Sequence, residues 1–414
     1  MRAMRVVVIG GGAAGFFGSI ACAERYPHTE VILLEAARQT LNKVSISGGG
    51  RCNVTHACFE PDALIQNYPR GGKALRGAFS RWQPRDMVQW LAERDVQLKT
   101  EADGRMFPVT DDSATIVDCL TWAAKRSRVS VRTGISVGSV TRLLRESGES
   151  KFEIKLKSGE SIWFDRLLLA TGSNPQGYEI ARSLGHQIEP PVPSLFTFNI
   201  LDRSLHALAG VSVESAKLQL ITDPPQKLEQ TGAVLITHWG LSGPAVLKLS
   251  AWGARVLHSH RYQAKLRINW LPQSKIEAIG TALIAAKAQV PKRLILNHCP
   301  VNLPNRLWEY LVARAGIELD KRWADLSNKS IEGLIKELAQ GEYSIEGKSA
   351  FKEEFVTCGG VNLKQVDFKT MESRCCPGLF FAGEILDIDG VTGGFNFQSA
   401  WTTAWLAGQS IGNA

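Results

Sequence analysis

The residues of this chain that could do chemistry cluster around glycines. Gly10-Gly11-Gly12-Ala13-Ala14-Gly15 is a GxGxxG turn. It follows an apolar run from Arg5 to Ile9 and opens a stretch of helical composition, Ala13 to about Arg25. A second apolar run, Val31 to Leu34, ends at Glu35, 20 residues after Gly15. Strand, glycine turn, helix, strand and acid in that order are the context a dinucleotide fingerprint requires. Gly10 permits the tight turn, Gly12 lets the backbone approach a pyrophosphate, and Gly15 lets helix and strand pack closely. The helix N-terminus, with Ala13 and Ala14 in its first turn, presents N–H groups and a positive dipole end to the phosphates. Glu35 would accept hydrogen bonds from an adenosine ribose, and its charge disfavours a 2′-phosphate there.

Two further segments select the dinucleotide. Leu167-Leu168-Leu169-Ala170-Thr171-Gly172 reads as a strand ending in a tight turn. Leu379-Phe380-Phe381-Ala382-Gly383-Glu384 reads as a strand ending in glycine and an acid, like the second fingerprint of FAD enzymes. Glu384 would hold ribityl hydroxyls. Gly393-Gly394-Phe395-Asn396 would begin the last helix and aim N–H groups at the flavin's pyrimidine edge, which carries negative charge when reduced. The cofactor expected is therefore FAD. No second GxGxxG occurs, so NADH or NADPH, as a transient electron donor, would dock at the flavin face.

Other side chains carry weaker signals. His238 is the candidate acid/base, because imidazole gives or takes a proton near neutral pH. Arg51 is the other catalytic candidate: it could neutralise an anionic substrate or reduced flavin, or bind an FAD phosphate or a nearby carboxylate. Cys52 and Cys58 invite a redox-pair reading, against which stands a simple packed thiol. No His/Cys/Asp cluster has metal-ligand spacing, so no metal is expected. No Gly-x-Ser-x-Gly elbow appears.

The elements that must position these residues alternate. Lys73–Trp82, Arg85–Arg94 and Ala114–Lys125 read as helices, and Val129–Val131 as a short parallel strand. Phe152–Leu156 and Ile162–Phe164 form a hairpin, and Arg166–Ala170 a buried strand. Pro190-Pro191-Val192-Pro193 cannot continue a helix or a central strand, so the chain changes character there. Short alternating runs follow to about residue 270, then helical patterns over Gln273–Ala288, Asn305–Ala315 and Ser330–Ala339. Strands return near Phe355, and Ser399–Ile411 closes the chain as a helix. The fold class expected is α/β. A discontinuous Rossmann-like FAD-binding domain, 1–190 and 354–414, is interrupted by an insert at 191–353. The insert combines a β-barrel, about 191–272 and 341–353, with a helical part at about 273–340.

At 414 residues and 44% hydrophobic, the chain suits an ordinary globular protein and not a disordered one. No apolar run reaches the roughly 20 residues of a membrane helix. The start, Met1-Arg2-Ala3-Met4, enters a strand-like run at once and leaves no room for a secretory signal. The cysteines include no CxxC, so a reduced, cytoplasmic protein is expected, with no membrane partner. The net charge is +8, and the stretch Lys248–Arg293, with nine Lys/Arg against Glu277, carries all of it. Arg261 to Trp270 alternates basic or polar with apolar residues, which reads as a half-buried strand with a wet face rather than as a nucleic-acid surface.

Longer motifs point to a family. They are Ser47-Gly48-Gly49-Gly50-Arg51-Cys52-Asn53-Val54-Thr55, Gly104-Arg105-Met106-Phe107-Pro108, Thr237-His238-Trp239-Gly240-Leu241-Ser242-Gly243-Pro244-Ala245, Thr357-Cys358-Gly359-Gly360-Val361, Thr370-Met371-Glu372-Ser373 and Phe381-Ala382-Gly383-Glu384-Ile385-Leu386-Asp387. From about residue 5 to 412 the chain resembles the BaiN-like, or aminoacetone-oxidase-family, FAD-binding flavoproteins. The resemblance implies a flavin domain interrupted by a barrel and a helical part. It implies that Lys43 and Ser47 through Asn53, including Gly49, Gly50, Arg51 and Cys52, form a loop against the flavin and its ribityl chain. It sets Asp387, Gly394, Asn396 and Gln398 on the other side. Two departures stand out: the Ala170-Thr171-Gly172 loop is short, and Ala400-Trp401-Thr402-Thr403-Ala404 replaces a small-residue pattern that ends in glycine. The function implied is an FAD-dependent oxidoreductase of a small organic substrate, through NAD(P)H-linked reduction of a conjugated carbonyl or olefin. Oxygen-dependent oxidation of an amine or aminoketone is the alternative. An RNA-modifying or RNA-binding flavoprotein is the alternative of another class, since uracil itself contains a conjugated olefin.

Overall fold

The computed structural model describes residues 3–144, 150–348 and 356–413. The chain divides into two compact units, Met1–Pro191 with Thr357–Ala414, and Val192–Val356. The return expected at residue 354, and residues 349–353 of the expected barrel segment, lie outside the described residues.

The first unit is a mixed α/β Rossmann-type fold. Its sheet has a parallel core of β1 (Arg5–Ile9), β2 (Glu30–Leu34), β3 (Ser130–Arg132), β4 (Arg166–Leu169) and β5 (Leu379–Phe381). The spatial order is β5-β4-β1-β2-β3, and two antiparallel strands, Glu372–Ser373 and Val366–Asp367, extend the β5 edge. Continuous apolar runs suit strands covered on both faces. Val6 to Val8, Ile32, Leu33, Leu167 and Phe380 are accordingly buried. The helix α1 (Ala13–Arg25) packs against the closing helix α2 (Phe395–Ser410). Small residues let their backbones approach: a Cβ at Gly408 would lie 2.7 Å from both Ala21 Cβ and the Gly18 carbonyl oxygen.

Smaller sheets attach to this unit. Thr55–His56, Arg105–Pro108 and Leu98–Thr100 form one. The expected hairpin pairs Phe152 with Phe164 and Ile154 with Ile162, and a third strand, Val137–Leu144, joins it. The proline run lies in Ile188–Ser194, which among the described residues forms a two-stranded sheet with Val356–Val361. A two-stranded edge tolerates the missing N–H donors that a central strand would not.

The second unit contains a closed barrel of six strands. Phe198–Ile200, Gly240–Ser242, Glu229–Thr237, Ser212–Ile221, Gln263–Asn269 and Gly341–Lys348 pair in that order, and Ile200 beside Ile345 closes it. Leu218, Val234, Ile236, Leu266, Ile268 and Ile345 fill the interior. The alternation read at Arg261–Trp270 is that of a barrel strand, with Leu266 and Ile268 buried and Lys265 exposed. Its charge is balanced locally. Arg267 sits opposite Glu342 and pairs with it at 2.9 Å, and Lys217 pairs with Glu229 at 3.1 Å. Helices Ile276–Gln289, Asn305–Arg314 and Asn328–Gln340 complete this unit. Arg314 joins them to the barrel: it bonds Glu337 at 2.7 Å and lies 4.2 Å over the Tyr343 ring. Among the described residues no helix is long and apolar enough to cross a membrane.

Candidate functional site

The first glycine turn separates two kinds of space. Gly10 has φ +111°, and a Cβ there would meet the Ala170 carbonyl oxygen at 2.4 Å. At Gly15 a Cβ would lie 1.8 Å from the Gly10 oxygen. Both glycines serve the protein's own packing. A Cβ at Gly12 would have no atom within 4 Å, and Gly12 caps α1 without any side-chain hydrogen bond. Beside Ala13 and Ala14 the helix therefore offers its first N–H groups to open space, the arrangement an anion requires. Glu35 is held at the same end, accepting from Gly11 N–H at 2.6 Å and Ala37 N–H at 2.7 Å. Those bonds leave carboxylate lone pairs for hydroxyl donors.

The turn after β4 lies directly beside the first glycine turn, with Ala170 and Thr171 against Gly10. Gly172 has φ +60°. The Thr171 hydroxyl and the Tyr178 hydroxyl are buried and have no hydrogen-bond partner among the described residues. Burial raises the Tyr178 phenol above its ordinary value, and the Glu384 and Asp387 charges raise it further, so it stays a neutral donor. Glu384, following β5, accepts from Thr357 N–H at 3.0 Å and from Lys43 Nζ at 2.5 Å. Lys43, Glu384 and the Ala170–Gly172 turn are thus brought together, since a Cβ on Gly172 would sit 3.5 Å from Glu384 Oε2.

The Ser47–Asn53 loop folds as the end of a kinked helical segment, Asn42–Gly50. Gly48, Gly49 and Gly50 all have positive φ, between 59° and 81°. Gly48 packs on Phe107, whereas Gly49 and Gly50 face open space. Arg51 secures this turn. It bonds Glu101 at 2.7 Å, approaches Asp111 at 3.5 Å and lies 4.0 Å over the Phe107 ring. Its pKa is raised, mainly by the hydrogen bond to Glu101. The Cys52 thiol is fully buried, and burial pushes it up to about 12 against a weaker opposing bond to Ser47. All eight cysteines are free thiols.

The start of α2 is laced to that loop. Asn53 donates to the Thr55 carbonyl and accepts from Gly394 N–H, each at 3.0 Å. Thr55 Oγ1 donates to Gln398 Oε1 at 2.6 Å, Gln398 Nε2 donates to Thr402 at 3.0 Å, and Trp401 Nε1 donates to the Val54 carbonyl. Gln398 is therefore wholly buried, with both ends of its amide engaged. Asn396 brackets Gly390, accepting from its N–H at 2.8 Å and donating to its carbonyl at 2.9 Å. Phe395 is buried and stacks on His56 at 4.7 Å, and Asp387 is buried as well.

His238 belongs to the second unit, in the turn between strands Glu229–Thr237 and Gly240–Ser242, where it and Trp239 are exposed. His56, Tyr68, Arg70, Glu101 and Asp389 stand outside every motif of the sequence, yet they support these loops and the segment that leads into α2. Only Asp389 left a signal, as an acid between apolar residues at 388 and 391. Among the described residues there is no group of three or more potential metal ligands.

Comparison with known proteins agrees with this architecture. The model of a family described as HI0933-like protein Rossmann domain matches residues 4–410. The chain is 32% identical to a ribosomal RNA dihydrouridine synthase of Escherichia coli, over 99% of this chain and 98% of that protein. It is 28% identical to a 3-dehydro-bile acid delta(4,6)-reductase of Clostridium scindens, over 98% of each. Among solved structures, a 3-ketosteroid-delta4-(5alpha)-dehydrogenase from Rhodococcus jostii shares the fold with a TM-score of 0.51 at 14% identity, covering 99% of this chain and 97% of that one.

Proposed function

Because the chain belongs to the HI0933-like Rossmann-domain family, we propose that it reduces a carbon–carbon double bond conjugated to a carbonyl. It is an FAD-dependent oxidoreductase acting on a small organic substrate. The observation that carries this reading is the set of open positions along the first unit. Gly12, Gly49 and Gly50 face empty space while their neighbours are packed, and two buried hydroxyls, Thr171 and Tyr178, await a polar partner. When bound, FAD supplies hydride transfer.

The chain's own residues have separable tasks. The α1 N-terminus, through Gly12, Ala13 and Ala14, binds the pyrophosphate, and Glu35 takes the adenosine ribose. Ala170, Thr171, Gly172, Gly383 and Glu384, with Lys43, frame the ribityl chain. Ser47, Gly49, Gly50, Cys52 and Asn53 form one wall, and Asp387, Gly394, Phe395 and Asn396 the other. Arg51, engaged by Glu101 and Asp111, shapes the glycine turn rather than meeting an anion. His238, on the second unit, is the proposed acid/base residue, and NADH or NADPH the proposed transient electron source. A reducing, cytoplasmic setting belongs to the same proposal and rests on the low cysteine content of the chain.

A second reading has its own support in the relative named a ribosomal RNA dihydrouridine synthase. Adding hydrogen across the uracil C5=C6 bond, itself conjugated to a carbonyl, is the same chemistry on a polymer. Paired charges on the barrel strand weaken it. The test offers FAD-loaded protein with NADPH either a panel of cyclic enones or an rRNA transcript, and follows nucleotide consumption. Turnover with enones supports the small-molecule reading. Dihydrouridine formed only in RNA, with steeply salt-dependent binding, supports the second. Oxygen uptake with amines and no nucleotide oxidation would overturn both.

A further inference from the structure

One segment outside the expected site is laid against it along its whole length. Residues Asn67 to Gly71 run from the last residue of a single 3-10 turn, Ile65–Asn67, to the helix Gly72–Phe79. They run beside residues 388–395, which lead into α2. Four contacts fix the pairing. The Val391 N–H donates to the Asn67 carbonyl at 2.9 Å. The buried Tyr68 hydroxyl donates to the Phe395 carbonyl at 2.7 Å. Arg70 and Asp389 form an isolated antiparallel bridge through their backbones. Their side chains add a two-pronged ion pair, Arg70 Nε to Asp389 Oδ1 at 2.6 Å and a second guanidinium nitrogen to Oδ2. At Gly71, φ is +80° and a Cβ would strike Ile388 at 2.5 Å.

The Asp389 carboxylate is completely buried, and the Arg70 side chain is only 12% exposed. A buried carboxylate is costly to keep unless it is paired with good geometry. A planar guanidinium fork specifies both distance and orientation, which a lysine cannot do. The place of this pair matters. Asp389 precedes Gly390, whose N–H and carbonyl are both bracketed by Asn396, and Gly393-Gly394 then starts α2. Fixing Asp389 therefore fixes where the first N–H groups of α2 point.

We propose that Arg70 and Asp389 are positioning residues: their ion pair holds residues 387–394 in the FAD-binding shape before the cofactor arrives. This rests on the reading that FAD lies against the α2 N-terminus. A preformed loop binds more tightly because its ordering cost is already met in the free protein.

The experiment compares the full-length apoprotein as wild type, Arg70→Lys and the double variant Arg70→Met/Asp389→Leu. Apoprotein melting and FAD binding by flavin fluorescence are measured, and the flavin potential of the loaded protein is recorded. The double variant removes both charges, so apoprotein melting should stay near that of wild type. FAD affinity should nonetheless fall about tenfold or more, and the potential should shift, because the α2 N–H groups are no longer aimed. Arg70→Lys should lie between them. FAD affinity within twofold of wild type in the double variant, or losses that simply track melting temperature across the variants, would overturn the proposal. So would a double variant that fails to fold, since the pair would then serve the fold and not the loop. Failure of the wild type to take up FAD would instead refute the cofactor reading itself.

Discussion

Gly12 and Gly15 lie three residues apart, and the structure predicts opposite phenotypes for the same substitution. Gly12 has φ −87° and ψ −169°, which alanine adopts freely, and a new Cβ would meet nothing. Gly12→Ala exchanges one cap residue for a poorer one, below about 1 kcal/mol, partly offset by a less flexible unfolded chain. The apoprotein should melt within a few degrees of wild type. The methyl group would, however, occupy the space through which the pyrophosphate reaches the α1 N–H groups. Losing one charge-assisted hydrogen bond costs about 1.5–3 kcal/mol, so FAD affinity should drop roughly ten- to hundredfold. At Gly15 the added Cβ falls 1.8 Å from a backbone oxygen, where ordinary contacts begin at 3.4 Å. The β1–α1 packing must open, at about 2–3 kcal/mol. That lowers the apoprotein melting temperature by about 4–12 °C for a unit of this size. Thermal unfolding of apoprotein and FAD titration, run on both variants, separate the cases. A Gly12→Ala protein that binds FAD like wild type, or that loses as much apoprotein stability as Gly15→Ala, would refute the division between ligand space and packing space.

Other outcomes follow from buried groups. His186 is buried, its Nε2 lies 2.8 Å from Ser373 Oγ, and burial lowers its pKa. The unfolded chain therefore binds more protons, so this contribution is present above about pH 6.5 and lost as pH falls below it. His186→Gln should flatten melting temperature against pH below about 6.5. In the second unit, Arg314→Met leaves Glu337 and Asp202 short of a partner. Because these groups are partly exposed, the expected loss is about 1–2 kcal/mol in denaturant unfolding. A thiol reagent should label exposed Cys375 first and leave Cys52 unreacted in the native protein, as mass spectrometry of the labelled peptides will show. Cys52→Ala should still undergo nucleotide-driven flavin bleaching.

Local pattern explains what was legible. Arg5–Ile9 and Ala13–Arg25 occur as read, because apolar strand runs and a glycine turn are signals of adjacent residues. The helical pattern of the closing helix is clear only from Ser399, but the glycine pair expected to begin it does so: the helix starts at Phe395 with Gly394, at positive φ, as its cap. The strand Val137–Leu144 went unread because Gly138 and Ser139 interrupt its alternation and its support comes from the hairpin it joins. The kinked Asn42–Gly50 segment has three glycines in its second half, a composition that argues against a helix. The lacing of the site was illegible for a different reason. Thr55 meets Gln398, and Arg70 meets Asp389, across more than 300 residues of chain. No periodicity encodes such pairs. Their residue types show only that a buried polar group must have found a partner.

The most direct test of the central claim follows the flavin band through both half-reactions without oxygen. FAD-loaded protein is first bleached with NADH or NADPH, then mixed with a cyclic enone. The expected result is bleaching by a nucleotide and return of the oxidised band at a rate that rises with enone concentration, with the saturated ketone as product. A band that bleaches but returns only on admitting oxygen, or a protein that takes up no FAD, would contradict it.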